Sequence, residues 1–465
     1  MKNRSWKIEN KSGIDSELFS GIRLRFSALN QTEKVVCLLI VLIPLWWLWG
    51  WSYLLTLLTF SVFAYEIKQT GKLSLKKPSA IVMLGFCFGL YTIIVSYFYY
   101  EFNDLAYSAR TFLIKIDFWF MSSLLLWYIQ SKNLRIRLQV VAWAFSVVIV
   151  EMAIVLLVSL VVYQQRDYLP MQSIFGFVTG KSAVFESGIG RSNYLMPYDA
   201  RDESFIPGIV RYAFFLHGPV ALAVFTAFIS LVALDLKNRT WSVLLFCSSY
   251  FISLLSGTRS VFVALIIILI LRYVVTIGKT FGVALVLAMM ATVSFSVFSL
   301  PLTSNMIFNN VEQATESVYE ARADSSAARG KIYAQTWKEL LDAPTQELFW
   351  GHIAEGENVT SYATAKIGSH SLYLSLLYRS GLIATIIFIS YWTALIWWFF
   401  STRDSRPLSC LMILILFTLT FTVMEMEQPV IPTILICSML RKPQTKVDSS
   451  QQIYSGYSRL VKGNP

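Results

Sequence analysis

The chain has 465 residues, of which 55% are hydrophobic, 15% aromatic and only 14% charged, with a net charge of +11. Soluble domains carry roughly 25% charged residues, so this composition excludes an ordinary soluble domain. The positive surplus would suit nucleic acid, but it is spread over short loops between apolar blocks, and that distribution excludes nucleic acid as the partner.

The first 34 residues are polar and basic, and the apolar block after them lacks a small-residue cleavage site, so no cleavable signal is read. Twelve apolar blocks follow, at 35–49, 51–67, 79–99, 107–129, 138–163, 212–234, 241–255, 260–277, 280–300, 381–400, 408–424 and 430–440. Several approach the roughly 20 residues that cross a bilayer as a helix. The first pair also reads as one long helix bent through Pro44 and Gly50. The expected fold is an all-α polytopic membrane protein of about twelve transmembrane helices with two long loops on one side, the second of them helical. Its parts are a tail (1–34), five spans (35–163), a first loop (164–209), four spans (210–300), a second loop (301–380), three spans (381–440) and a tail (441–465).

Charge orients this arrangement. One set of short loops holds Lys68, Lys72, Lys76 and Lys77, then Lys132, Arg135 and Arg137, then Lys237 and Arg239, Arg272 and Lys279, and Arg403 and Arg406. The alternate short loops are bare or acidic, as in "YEFND" (100–104) and "EMEQP" (425–429), with Arg259 as the one exception. Basic loops stay in the cytoplasm, which puts both termini there and the two long loops outside. The five cysteines all lie in apolar blocks, so no disulfide and no thiolate metal site is expected.

In the second loop, "SSAARGKIYAQTWKELLDAP" reads as a helix capped by Ser325 or Ser326 and ending before Pro344. Arg329, Tyr333, Trp337 and Leu340 or Leu341 recur along one face of it. A second amphipathic stretch, 369–383, leads into the tenth span with His370 near its start. No internal repeat is visible, unlike the repeated halves of many secondary transporters.

Four basic residues fall on the outer side: Arg211, Arg259, Arg329 and His370. Arginine keeps its charge at any biological pH and offers a fork that matches phosphate oxygens. Such a cluster at an outer interface suits a lipid-linked phosphate or diphosphate, and it also stabilises charge developing on a departing diphosphate. A histidine can accept a proton from an attacking hydroxyl near neutral pH. With a good leaving group, one base and these charges suffice, and neither metal nor cofactor is required. Each residue also has a purely structural reading. Interfacial arginines snorkel; Arg211 can orient on Asp199, Asp202 and Glu203; Arg329 can pair with Glu320 or Asp324, with Arg322 as a rival; His217 can be a polar kink beside Pro219. The interior charges Arg110, Lys115 and Asp117 are expected to satisfy one another.

The ordered set "SGTRSVFVAL", a long loop with Arg329 and Trp337 eight residues apart, and "GSHSLYLSLLYRSGLIATIIF" resembles the O-antigen ligase and polymerase superfamily over residues 207–388. The resemblance implies a membrane glycosyltransferase of lipopolysaccharide biosynthesis in the bacterial inner membrane, whose donor is a polyprenyl-diphosphate-linked glycan. It implies that Arg259 and Arg329 bind the donor diphosphate and that His370 activates the acceptor hydroxyl. Arg211, in "GIVRYAFFLHGP", matches a further arginine, and Tyr333 and Trp337 join the substrate-binding set. The implied chemistry is metal-independent and inverting, without a cofactor. The implied acceptor is lipid A-core for a ligase or another lipid-linked glycan for a repeat-unit polymerase, with membrane lipids as surroundings and no nucleic acid. Ser371 stands where the family commonly has Asn after the histidine, and Gly218–Pro219 where a Pro-Asn pair is common. Two other readings stay open, a glycolipid flippase or transporter and a scaffold of an export complex.

Overall fold

The computed structural model describes residues 18–102, 109–162, 170–184, 193–281, 323–354, 356–359 and 366–442. It is mostly helical, and the strands pair only in twos. Strands β1 (Phe19–Ser20) and β2 (Arg23–Leu24) form a hairpin ahead of helix α1 (Gln31–Val41). Asn30 and Glu33 start α1 as a reciprocal capping box. Helix α2 (Ile43–Trp49) follows at a 60° bend, with Pro44 in its first turn, where a missing N–H costs nothing, and ends at Gly50 in the left-handed region, φ 96°. The bend therefore falls inside the first apolar block, and Gly50 separates that block from α3 (Leu54–Thr70).

Helix α4 (Ala80–Phe102) is followed by α5 (Ala109–Lys115), a π-helical stretch (Ile116–Met121) and α6 (Ser122–Lys132). Strand β3 (Ile136–Arg137) leads into α7 (Leu138–Val161). The first loop holds β4 (Met171–Gln172), the short α8 (Ile174–Val178), β5 (Tyr194–Leu195), β6 (Tyr198–Glu203) and β7 (Val210–Tyr212). These strands pair as β4–β5 and β6–β7, both antiparallel. Tyr212, expected to open a span, instead ends a strand. The helix begins seven residues later, where Gly218–Pro219 supplies a helix start.

The remaining helices are α9 (Pro219–Ala233), α10 (Arg239–Leu255), α11 (Arg259–Phe281), α12 (Ala323–Asp342), α13 (Thr345–Trp350), α14 (Leu372–Ser401), α15 (Ser409–Thr420) and α16 (Val430–Met439), with β8 (Leu440–Arg441) at the end. Helix α9 is the axis of the core. Every residue from Ala221 to Ala233 is buried, and α7, α10, α11, α15 and α16 all pack on it. A helix apolar on all sides has to be enclosed in this way or face lipid.

Among the described residues five helices are long and apolar enough to span a bilayer: Ala80–Glu101, Phe112–Lys132, Leu138–Val161, Arg259–Ile277 and Leu372–Ser401. The bent pair α1 and α2 makes a sixth if it is one span, and α9, α10, α15 and α16 are shorter apolar helices. The chain is a multi-pass membrane protein. Beyond Phe281 the 280–300 block lies outside the described residues, as do Glu320 and Arg322.

Contacts between helix ends sort into two groups. In one, the Arg137 guanidinium donates to both Glu33 carboxylate oxygens at 2.7 and 2.6 Å, Lys132 pairs with Glu66, and β3 runs parallel to β8. Asp235 pairs with Arg272 at 2.7 Å and accepts from the Ser409 amide at 2.8 Å. Arg406, 1% exposed, donates to the Cys437 and Ser438 carbonyls at 2.6 Å each and closes the end of α16. In the other group, the Trp51 indole donates to Phe215 O at 2.8 Å, the Tyr91 hydroxyl to Ser380 O at 3.2 Å, and the Leu372 amide to Phe421 O at 2.9 Å. Apart from Tyr91, which lies within the 79–99 block, each contact joins segments that the charge pattern assigns to one side.

The interior charges depart from expectation. Asp117 does not answer Lys115. Its carboxylate accepts from the amide and hydroxyl of Thr56, at 2.8 and 2.6 Å, and so caps the start of α3, which has no side-chain cap of its own. Lys115 donates to Thr92 O at 3.1 Å and to the Ser96 hydroxyl. In an apolar setting a polar group takes the nearest backbone or hydroxyl partner on a packed helix, and sequence proximity does not decide it. The Arg110 side chain lies outside the described residues.

Candidate functional site

Helix α10 ends at Leu255 and α11 begins at Arg259, so Ser256, Gly257 and Thr258 form the whole turn. The Ser256 hydroxyl donates to Ser253 O at 2.7 Å and accepts from the Thr258 amide at 3.2 Å. Gly257 sits at φ 61°, a conformation that a side chain disfavours. Arg259 is therefore the first residue of a helix, half-buried above the buried Val261 and Leu265. A helix start carries partial positive charge and unpaired N–H groups. A cation there is unfavourable by itself, whereas an anion suits both the helix end and the guanidinium.

Arg211 comes to the same turn from β7. It stands opposite Asp199 in the β6–β7 register, and its Nε donates to Ser256 O at 2.8 Å. Its stem crosses Gly257 so closely that a Cβ there would lie 3.2 Å from Arg211 Cγ and Nε, and 3.3 Å from Glu203 O. The glycine of the turn thus serves two ends, the left-handed backbone and room for a second arginine. The side chain of Asp202 lies outside the described residues.

The second part of the site lies where α12 meets the start of α14. Thr336 Oγ1 accepts from the Gly368 amide at 2.9 Å, the Tyr333 hydroxyl donates to His370 O at 3.0 Å, and the Tyr378 hydroxyl donates to Glu339 at 2.8 Å. Arg329 is half-buried one turn before Tyr333. Burial raises the Tyr333 pKa, and the Arg329 charge pulls it the other way; the phenol stays a donor across physiological pH. Trp337, on the same helix, keeps 51% of its surface exposed. The Asp324 side chain lies outside the described residues.

His370 occupies the left-handed region at φ 65°, a rare conformation for a non-glycine residue that is held only when its surroundings impose it. Those surroundings are specific. The His370 amide donates to Glu425 at 3.3 Å, and Arg379 pairs with the same carboxylate at 2.5 Å while its Nε donates to Gly368 O at 3.0 Å. Ser369 lies 2.7 Å from His370 Nδ1, and Ser371 caps α14. Helix α14 breaks at Gly381, φ 75°, where α13 and its following turn pack on it.

The other two histidines have different settings. His352 stacks on Tyr378, ring centroids 4.2 Å apart, and lies 3.1 Å from Glu347. His217 lines a small pocket with Trp47, Trp51 and Tyr194, edge-on to Trp51.

The structure thus joins Arg211 to the turn of Arg259, and Tyr333, on the helix of Arg329, to His370. Helix α15 packs on both α11 and α14, the helices that Arg259 and His370 introduce. Sequence reasoning missed Ser256, Ser369, Arg379 and Glu425. An arginine in the apolar run "LYLSLLYRSGLI" was the available signal for Arg379, since a charge among so many apolar residues implies a partner.

Residues 241–389 match the family model described as O-antigen ligase. The match begins in the first turn of α10, ends within α14, and contains Arg259, Arg329, Tyr333, Trp337 and His370; Arg211 lies upstream of it. No curated protein matches the chain.

Proposed function

From the membership in the O-antigen ligase superfamily that residues 241–389 give the chain, we propose that it is a membrane glycosyltransferase that moves a glycan from a polyprenyl diphosphate onto lipid A-core. The observation that carries this reading is the convergence of Arg211 and Arg259 on one turn at the start of α11. Two guanidinia there suit a diphosphate whose lipid chain lies among the helices.

The reaction takes place on the periplasmic face of the inner membrane, with about twelve spans and both termini cytoplasmic. The positive-inside pattern and the sorting of helix-end contacts into two groups support that orientation. The acceptor hydroxyl loses its proton to His370 as its oxygen attacks the anomeric carbon. The bond from that carbon to the diphosphate oxygen breaks, the configuration inverts, and polyprenyl diphosphate departs with its charge against Arg211, Arg259 and Arg329. Tyr333 and Trp337 lie along the glycan path. No metal takes part, because the arginines supply the charge that the leaving group needs.

A glycolipid gel from a deletion strain tests the assignment. Loss of all capped lipopolysaccharide with accumulation of lipid-linked polymer is the expected result. Lipopolysaccharide capped by single repeats would instead make the acceptor another lipid-linked glycan and the enzyme a polymerase. Unchanged capping would overturn both.

A further inference from the structure

Ser369 is 5% exposed, and its hydroxyl oxygen has two neighbours. One is the Lys366 carbonyl oxygen at 2.6 Å; the other is His370 Nδ1 at 2.7 Å. A carbonyl only accepts, and a serine hydroxyl has a single proton to give. With that proton committed to Lys366, the oxygen can only accept from His370. Nδ1 must then carry the imidazole hydrogen, and Nε2 the lone pair.

We propose that Ser369 is a positioning residue that holds His370 in the Nδ1–H tautomer, making Nε2 the basic nitrogen that receives the acceptor's proton. This rests on His370 being the base of the proposed transfer. The backbone of His370 is clamped on both sides of the ring, its amide on Glu425 and its carbonyl under the Tyr333 hydroxyl. Arg379 holds Glu425 in place from α14. With backbone and Nδ1 all fixed, the direction of Nε2 is fixed as well.

The same arrangement serves the protonated state. When Nε2 takes the proton, Nδ1–H keeps its acceptor, and the Glu425 carboxylate on the same corner favours the new positive charge. Among the described residues, Glu425 from the segment after α15 meets the His370 amide, Arg379 from α14 pairs with that carboxylate, and Tyr333 from α12 meets the His370 carbonyl. Arg379, the cation that shares Glu425 with the His370 amide, is itself neutralised by that carboxylate. A hydroxyl on Nδ1 orients the ring without adding a second carboxylate beside a site for diphosphate.

Nitrogen-15 spectra of the histidine-labelled full-length protein in lipid nanodiscs, taken above the imidazole pKa, test this directly. The chain has three histidines, and the His370 signals are those missing from His370→Ala. The expected wild-type result is a protonated Nδ1 and a lone pair on Nε2. A protonated Nε2 overturns the proposal. Ser369→Ala should populate the Nε2–H form and slow transfer by on the order of 10–100-fold at unchanged donor KM, less than the ~10⁴-fold that a wrong tautomer costs in a serine-protease triad. Ser369→Thr, which keeps the hydroxyl, should stay within a few-fold of wild type. A wild-type rate for Ser369→Ala beside an inactive His370→Ala would overturn the positioning role alone. A wild-type rate for His370→Ala would overturn the base reading and the positioning role with it.

Discussion

Replacing Gly257 by alanine adds one methyl group to the turn between α10 and α11, and its effect follows from two features. The first is the backbone, since φ 61° is left-handed and costs an L-residue roughly 1–2 kcal/mol. The second is the space. The new Cβ would lie 3.2 Å from Arg211 Cγ and Nε and 3.3 Å from Glu203 O, inside the usual contact distance of about 3.5–4.0 Å. Glu203 O belongs to the β6 backbone and cannot yield alone, so Arg211 must. Swinging it aside breaks the 2.8 Å bond to Ser256 O, a hydrogen bond from a charged group worth about 1.5–3 kcal/mol. Even if half of this is relieved by relaxation, about 1.3–2.5 kcal/mol remains, or roughly 8–70-fold in rate at 1.36 kcal/mol per factor of ten. The initial rate of glycan transfer in nanodiscs, normalised to folded protein, measures it. If Gly257→Ala transfers within twofold of wild type, Arg211 and the turn do not act together on the donor.

Arg259→Lys keeps the charge and loses the fork, so it should be impaired, while Arg259→Ala should lose about 100-fold, the usual cost of one contact to a developing anion; equal rates for wild type and both variants would return Arg259 to a snorkelling role. Asp235→Asn leaves Arg272 without a carboxylate in a setting where both side chains are at most 15% exposed, so the melting midpoint in detergent should drop by the equivalent of about 3 kcal/mol with turnover per folded molecule retained. Single cysteines at Arg329 and Arg403, in a background without Cys37, Cys87, Cys247, Cys410 and Cys437, should be labelled from opposite faces of the membrane, Arg329 from the periplasm. Labelling of both from one face would remove the topology on which the site depends.

The apolar blocks were legible because span length and hydropathy are properties of the sequence alone. The spans differ in kind for reasons that the blocks do not carry. The first block bends at Leu42, and the sixth yields its first residue, Tyr212, to a strand, because β6 offers Val210–Tyr212 a partner. Asp117 and Lys115 lie two residues apart in sequence yet serve different helices, a choice made by which helix packs alongside. Of the candidate site, the residues with chemistry of their own stand out in the sequence: arginines beside apolar blocks and a histidine at a helix start. The residues that aim them do not. Ser256 and Ser369 are ordinary serines until the turn folds, and Glu425 is one acid in an acidic loop until Arg379 and the His370 amide meet it 46 and 55 positions away.

The central claim is transfer from a lipid diphosphate by a base and arginines. The most direct measurement is single-turnover transfer by the purified full-length chain in nanodiscs, with a polyprenyl-diphosphate-linked glycan as donor and lipid A-core as acceptor. The chain is expected to release one polyprenyl diphosphate for each glycan joined, with EDTA present, and His370→Ala is expected to bind the donor while transferring about 10²–10⁴-fold more slowly. Transfer by His370→Ala at the wild-type rate, or wild-type transfer abolished by EDTA and restored by Mg²⁺, would contradict it.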